Sequence, residues 1–203
     1  LPNPDTANRL VILSGNNQGY DGEYAAGSEL PLPLVIRVLD STRTGVDGDI
    51  LGAPISNFPV LFQSFSPSGD GQVSSSPGPG PAGTGRLESL TDADGLAAVR
   101  LDLGTRTGGP DDLAVLRDNN TVIAVAVFAD GSQDTVVFRA TAVPGAPATI
   151  DASGPTDRTA QAGEALSGLG VTVADGNGNL VAGAGVSFAV SAIPAGGTAT
   201  LAA

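Results

Sequence analysis

Short runs in which apolar and polar residues alternate, separated by turn-forming residues, restrict the fold of this chain more than any other feature of its sequence. In residues 97–103, AAVRLDL, the side chains of Val99, Leu101 and Leu103 fall on one face. Residues 34–39, LVIRVL, alternate in the same way. A period of two describes a β-strand with one buried face and one solvated face. The 29 Gly and 15 Pro among 203 residues favour many turns over long helices, so the sequence predicts an all-β fold.

A longer run, residues 121–143, is predicted to form a hairpin of two antiparallel strands. Its turn is expected at Asp130-Gly131, because Asp-Gly is a pair typical of tight hairpin turns. In each predicted strand, the apolar residues at alternate positions are assigned to the buried face. Together they predict one core, shared by the two sheets of a sandwich. The predicted members of this core are Ile36, Val38, Val60, Phe62, Val99, Leu101, Val125 and Phe138.

Few residue types are available for catalysis. The chain contains no His and no Cys, and all nine basic residues are Arg. Most nucleophile–base pairs, imidazole and thiolate metal ligands, and disulfides are therefore excluded. A glycosidase would need two carboxyl groups held across a sugar, but the Glu residues are scattered along the chain and aromatic residues make up only 4% of it. We therefore expect no enzymatic activity.

The charge of the chain limits its partners. A formal net charge of -12 argues against binding of nucleic acid, which requires clustered Lys and Arg. No apolar run approaches the roughly 20 residues of a membrane span, so we expect no membrane insertion in this segment. Strong negative charge fits a protein that faces the outside of a cell, where it also meets calcium.

Asp92 and Asp94, within T-D-A-D-G at residues 91–95, are the first candidates for a metal site. Oxygen ligands at alternate positions are typical of calcium-binding loops. The same residues also suit a turn that opens a strand, because Asp bonds its own backbone two residues on and Gly95 tolerates a positive φ. The turn is the favoured interpretation, and calcium is the one cofactor that remains a candidate.

Two further stretches are weighed as calcium sites on the same grounds. Asp40, Asp47 and Asp49 lie in one long acidic loop, and D-G-N-G-N-L at residues 175–180 begins with oxygen-bearing side chains at alternate positions. An EF-hand loop needs Gly at its sixth position and Glu at its twelfth, which this chain fills with Leu and Val. A solvated loop and a Gly/Asn-rich hairpin turn are the favoured interpretations.

The chain also repeats itself, with the order of the matching segments kept and the gaps in loops. The proline-containing stretch VPGAP at residues 143–147 joins the copies as a short, stiff linker. We therefore predict a complete domain at residues 1–144 and the first half of a second domain at residues 145–203. The matching pairs are 9–15 with 148–154, 25–40 with 161–175, 58–63 with 184–189, and 83–90 with 196–203.

The repeated motifs resemble the bacterial immunoglobulin-like repeats of the invasin and intimin type. The second copy carries Ala162-Gly163, V-T-V-A-D at 171–175, Gly178-Asn179 and G-V-S-F at 185–188, and the first copy carries T-D-A-D-G at 91–95 and T-V-I-A at 121–124. The first copy departs from the pattern: it lacks the Gly-Asn turn after Asp40 and has inserts at 41–57, 65–83 and 106–118.

This resemblance implies tandem immunoglobulin-like antiparallel β-sandwich domains of seven strands, repeated in series, with the second domain incomplete. It implies a non-catalytic structural or adhesive segment of a bacterial cell-surface or secreted protein: a stalk, a spacer or part of a filament. Two alternatives stay open, namely a carbohydrate- or receptor-binding module that uses the enlarged first-copy loops to bind a host or cell-surface ligand, and an accessory domain of a large secreted enzyme.

The half-domain is expected to need a partner. A sandwich that stops at residue 203 would expose Val171, Val173, Val186, Phe188 and Val190 together with open strand edges, which drive association. The expected partners are neighbouring repeats of the same protein or a neighbouring chain that donates strands.

Overall fold

The computed structural model describes residues 9–39, 52–76, 83–108, 117–193 and 195–201, and these residues form β-strands without any helix. None of them therefore belongs to a helix able to cross a membrane. Asp40, Asp47 and Asp49 lie outside the described residues. The strands are β1 (Leu10–Ser14), β2 (Leu34–Val38), β3 (Pro59–Phe65), β4 (Gln72–Ser75), β5 (Arg86–Leu90), β6 (Leu96–Asp102), β7 (Asn120–Val127), β8 (Gln133–Ala140), β9 (Pro147–Ala152) and β10 (Val171–Asp175).

The first eight strands build two antiparallel sheets, which together we call the N-terminal unit (residues 9–143). One sheet has the order β1-β2-β6-β4 and the other the order β5-β3-β7-β8. β4 lies within the insert at 65–83, so the described residues of this unit form eight strands, whereas the resemblance implies seven. The all-β class predicted from the sequence is confirmed, with a β-sandwich-like arrangement of antiparallel sheets.

Both sheets contribute to one apolar core. Phe62 of β3 and Phe138 of β8 lie with their ring centroids 6.5 Å apart, a separation at which aromatic rings attract each other. On the opposite sheet, Ile36 and Val99 are fully buried. Seven of the eight predicted core residues are buried, and the buried faces predicted for β2 and β6 are confirmed, although Leu39, predicted on the opposite face of its strand, is buried as well.

The prediction was wrong at Val125, which is only half-buried. The buried face of β7 consists of Val122, Ala124 and Ala126 instead. Ala124 stands opposite Phe62 in the register of β3 and β7, and the large ring leaves room there for only a small side chain. Close packing of the core therefore favours burial of the face of β7 that carries Ala124 over the face that carries Val125.

Residues 147–201, here called the C-terminal segment, begin as the N-terminal unit begins. Val173 of β10 pairs with Ile150 of β9, as Val38 of β2 pairs with Leu10 of β1. Strand β1 holds one additional residue, at the bulge that follows Ile12. The two copies thus share their first strand pairing.

The residues that follow β10 extend this correspondence. The Val181 amide donates a hydrogen bond to the Val173 carbonyl at 2.8 Å, as the Ile55 amide donates to the Val38 carbonyl at 3.0 Å. The bridge between Ala174 and Leu180 likewise matches the bridge between Leu39 and Pro54. These contacts occur at positions that are matched in the sequence alignment of the two copies.

Beyond residue 182 the two copies differ. Phe188 is 49% exposed, whereas its counterpart Phe62 is fully buried; Val186 and Val190 are also exposed. Val171 and Val173 are half-buried, so the predicted exposure holds for three of five residues. In the N-terminal unit, β3 is held between β5 and β7, and residues 184–190 lack such neighbours among the described residues.

Candidate functional site

The T-D-A-D-G stretch forms a tight turn ahead of β6. One carboxylate oxygen of Asp92 accepts hydrogen bonds from the Asp94 and Leu96 amides, each at 2.9 Å. Gly95 has a φ of 71°, and a Cβ added to it would lie 2.8 Å from the Val38 carbonyl oxygen. The turn interpretation of this stretch is confirmed, and Gly95 suits it on both counts.

The D-G-N-G-N stretch at residues 175–179 forms the same type of turn after β10. One carboxylate oxygen of Asp175 accepts hydrogen bonds from the Asn177 and Asn179 amides, each at 2.9 Å. The Gly178 amide donates to the Asp175 carbonyl at 3.0 Å. The turn predicted here is therefore also confirmed, and its local geometry repeats that of the turn at Asp92.

The two turns differ in their surroundings. Asp92 is exposed, whereas Asp175 and Asn179 are 3% and 4% exposed. The side chain of Asn179 contacts the N-terminal unit: its amide nitrogen donates to the Thr105 carbonyl at 2.9 Å, and its oxygen accepts from the Thr107 amide at 3.0 Å. This turn therefore lies in the contact between the C-terminal segment and the N-terminal unit.

Two further hydrogen bonds cross the same contact. The guanidinium of Arg106 donates to the Asn177 carbonyl at 3.0 Å. The Asn177 side chain lies 3.5 Å from the Ala26 carbonyl, at the long end of hydrogen-bonding distance. The contact thus joins one turn of the C-terminal segment to residues 105–107 and to Ala26 of the N-terminal unit. We call it the joint.

The N-terminal side of the joint is held in place by Asn119 and Asn120, at the start of β7. Asn119 donates to the carbonyls of Thr107 and Ala142, both at 2.8 Å. Asn120, which is 1% exposed, accepts from the Gly104 amide at 2.9 Å. Because Asn119 bonds both Thr107 and Ala142, it connects the loop after β6 to the end of β8 and the linker.

Asp70 holds the same loop from another direction. Its carboxylate accepts hydrogen bonds from the Thr105 amide at 3.0 Å and from the Thr105 hydroxyl at 2.6 Å. Partial burial opposes ionisation of Asp70, but hydrogen bonds from Ser68 and Thr105 outweigh it and lower the pKa of this carboxyl. The loop that receives Asn179 is therefore fixed by contacts within the N-terminal unit.

The linker is tied to the joint as well. The second carboxylate oxygen of Asp175 accepts from the Gly145 amide at 2.7 Å and from the Asn179 side chain at 2.9 Å. Burial opposes ionisation of Asp175, but the Asn179 side chain and three backbone N–H groups outweigh it. Together they lower the pKa of this carboxyl below its ordinary value of 3.8, because hydrogen bonds to a carboxylate favour its charged form.

The metal candidates are distributed without forming a cluster. Asp92 and Asp94 belong to the turn before β6, and the side chain of Asp92 is bonded to backbone amides there. Across the described residues, no group of three or more acidic, His or Cys side chains is arranged to hold a metal ion. Asp40, Asp47 and Asp49 fall outside those residues.

A shallow apolar groove is the second notable surface. Ala152, Leu169, Val171 and Phe188 line it on the C-terminal segment. In the N-terminal unit the corresponding space is filled, because Val99 of β6 pairs beside β2 and Phe138 of β8 packs against Phe62. The groove is therefore the part of the repeat that β6 to β8 cover in the first copy.

Sequence reasoning identified the turn at 175–179 but missed what its side chains contact. The bonds that Asn119 and Asn120 make to the loop after β6 and to Ala142 were missed as well, because their partners lie 12 to 23 residues away. The turn itself uses only the backbone amide of residue 179. The Asn side chain at this position was therefore the one sequence signal for a contact outside the turn.

Comparisons with protein-family models, with curated proteins and with solved structures found no match to this chain.

Proposed function

We propose that this chain is a non-catalytic structural and adhesive segment of a bacterial cell-surface or secreted protein, acting as a stalk, a spacer or a fibre component. In this proposal, residues 1–144 form one immunoglobulin-like domain and residues 145–203 begin the next. The net charge of -12 and the absence of Lys are compatible with an extracellular location.

The observation that carries the proposal is the repeated strand pairing across a short linker. β9 and β10 pair as β1 and β2 do, apart from the one additional residue at the bulge of β1, and only a few residues separate β8 from β9. Copies of one fold joined by short linkers make an extended array in which each unit contacts mainly its neighbours. Such an array suits a spacing role.

The partner we propose for the C-terminal segment is a set of strands like β6 to β8. Phe62 packs against Phe138 in the first copy, and the exposed Phe188 stands at the aligned position without an equivalent ring. Phe188 lies outside the described strands, and exposed apolar side chains together with the open edges of β9 and β10 favour pairing with further strands. Strands like β6 to β8 can come from a neighbouring repeat in the same protein or from a neighbouring chain.

Single-molecule force spectroscopy on the intact chain tests the stalk proposal. A load-bearing N-terminal unit is expected to unfold in one event that releases roughly 450–490 Å of chain, at about 3.3–3.6 Å per residue for residues 9–143. Gradual extension without a discrete event would contradict a load-bearing role.

The same measurement on a fusion tests the partner. Appending a second copy of residues 91–143 after Ala203 is expected to add a second discrete event. This copy contains β6 to β8, the strands proposed to cover the C-terminal segment. A fusion in which Phe138 of the appended copy is replaced by Asp serves as the control. Equal traces for both fusions would contradict the proposed partner.

A further inference from the structure

We propose that the D-G-N-G-N turn is a latch that holds the C-terminal segment in one orientation on the N-terminal unit. The latch consists of Asp175 and Asn179, and its receptor is the loop of residues 104–107. This role goes beyond that of a hairpin turn and does not depend on the cell-surface function proposed above.

The side-chain amide of Asn179 makes hydrogen bonds on both sides of the joint. Its nitrogen donates to both the Thr105 carbonyl and the Asp175 carboxylate, while its oxygen accepts from the Thr107 amide. A buried amide has up to two donors and two acceptor sites, and three of these are engaged here at 2.9–3.0 Å. Because hydrogen bonds are directional, one side chain in this arrangement constrains rotation as well as separation.

The receptor loop is held by hydrogen bonds that do not involve the latch. Asn120 holds the Gly104 amide, Asn119 holds the Thr107 carbonyl, and Asp70 holds Thr105. All these contacts lie within the N-terminal unit. Docking of Asn179 therefore needs little further ordering of the loop, which lowers the entropic cost of closing the joint.

The linker is bonded on both sides of the joint. Its first residue, Val143, is bonded through its backbone to Tyr24 and Ala26, and Gly145 is bonded to Asp175. The linker is therefore anchored to the N-terminal unit at one position and to the latch two residues later. Little chain is left between these anchors to act as a hinge.

Residual dipolar couplings measured on the intact chain test the latch. In the unmodified protein, amides of the N-terminal unit and of β9–β10 are expected to fit one alignment tensor. Two different tensors in the unmodified protein would overturn the proposal, whatever the variants do.

Asn179→Asp is the informative variant, because it keeps the acceptor for Thr107 but places an oxygen against the Thr105 carbonyl. It is expected to separate the two tensors and to raise amide exchange at Thr107 and Gly145 about tenfold. Exchange at buried core amides such as that of Phe62 should not change. A variant that retains one tensor and unchanged exchange at Thr107 would overturn the latch.

Two further variants complete the test. Asn16→Asp makes the same chemical change at an exposed turn whose acceptor oxygen bonds Asn17 and Arg139, and it should leave the single tensor intact. Arg106→Ala removes a cross-joint contact without altering the turn, so it remains informative if Asn179→Asp unfolds β9–β10. It is expected to raise exchange at Thr107 by a smaller factor, and no rise would count against the proposal.

Discussion

Replacing Phe62 by Ala is expected to cost about 4 kcal/mol of unfolding free energy, since Phe-to-Ala changes in protein cores cost ~3–5 kcal/mol. The structure places the value in this range because Phe62 is fully buried and packs against Phe138. Its neighbour across the strand pairing is Ala124, whose side chain is too small to fill the cavity. Part of the core should therefore stay empty.

The repeat supplies a matched control for this substitution. Phe188 occupies the aligned position in the second copy but is 49% exposed. Phe188→Ala should therefore cost less than about 1 kcal/mol, because surface substitutions rarely cost more. Urea denaturation followed by far-ultraviolet circular dichroism measures both variants at one protein concentration. Equal costs at the two positions, or a cost below about 1 kcal/mol for Phe62→Ala, would refute the assignment of Phe62 to the core.

Three further outcomes are expected. Calcium added at fixed ionic strength should shift the melting temperature little or not at all, because the Asp92 carboxylate is bonded within its turn, and a rise of roughly ten degrees would point to a calcium site. The pKa of Asp175 is lowered from its ordinary value of 3.8, so ionised Asp175 stabilises the joint at pH values above 3.8. This contribution should be lost as the pH falls through the lower pKa of the folded state. The Gly145 amide chemical shift should follow that titration and should not do so in Asp175→Asn. Light scattering after size-exclusion chromatography should show association that increases with concentration, driven by exposed side chains such as Phe188, whereas a monomer with residues 147–201 protected from exchange would contradict it.

Under the proposed function, the apolar groove of the C-terminal segment and the joint serve different purposes. The groove, lined by residues such as Leu169, Val171 and Phe188, is the surface that further strands are proposed to cover. The joint is polar, and Asp175 and Asn179 find their hydrogen-bond partners in this chain. In the proposed array, the first contact completes a unit and the second orients it.

Local chemistry made part of this fold predictable. The period of two at residues 34–39 and 97–103 predicts the buried face of each strand, because neighbouring side chains of a strand point in opposite directions. The turns at Asp92 and Asp175 were predictable for a related reason. Their defining hydrogen bonds join residues two to four positions apart, so the information lies within one short segment.

Packing decided what alternation left open. In β7 both faces are apolar, so the sequence alone does not select between Val125 and its neighbours. The ring of Phe62 selects the phase that places Ala124 inside. The role of Asn179 was likewise invisible in the sequence, because its partner Thr107 lies 72 residues away. A pattern in sequence determines which way a side chain points along its own strand, whereas what that side chain meets depends on how distant segments are brought together.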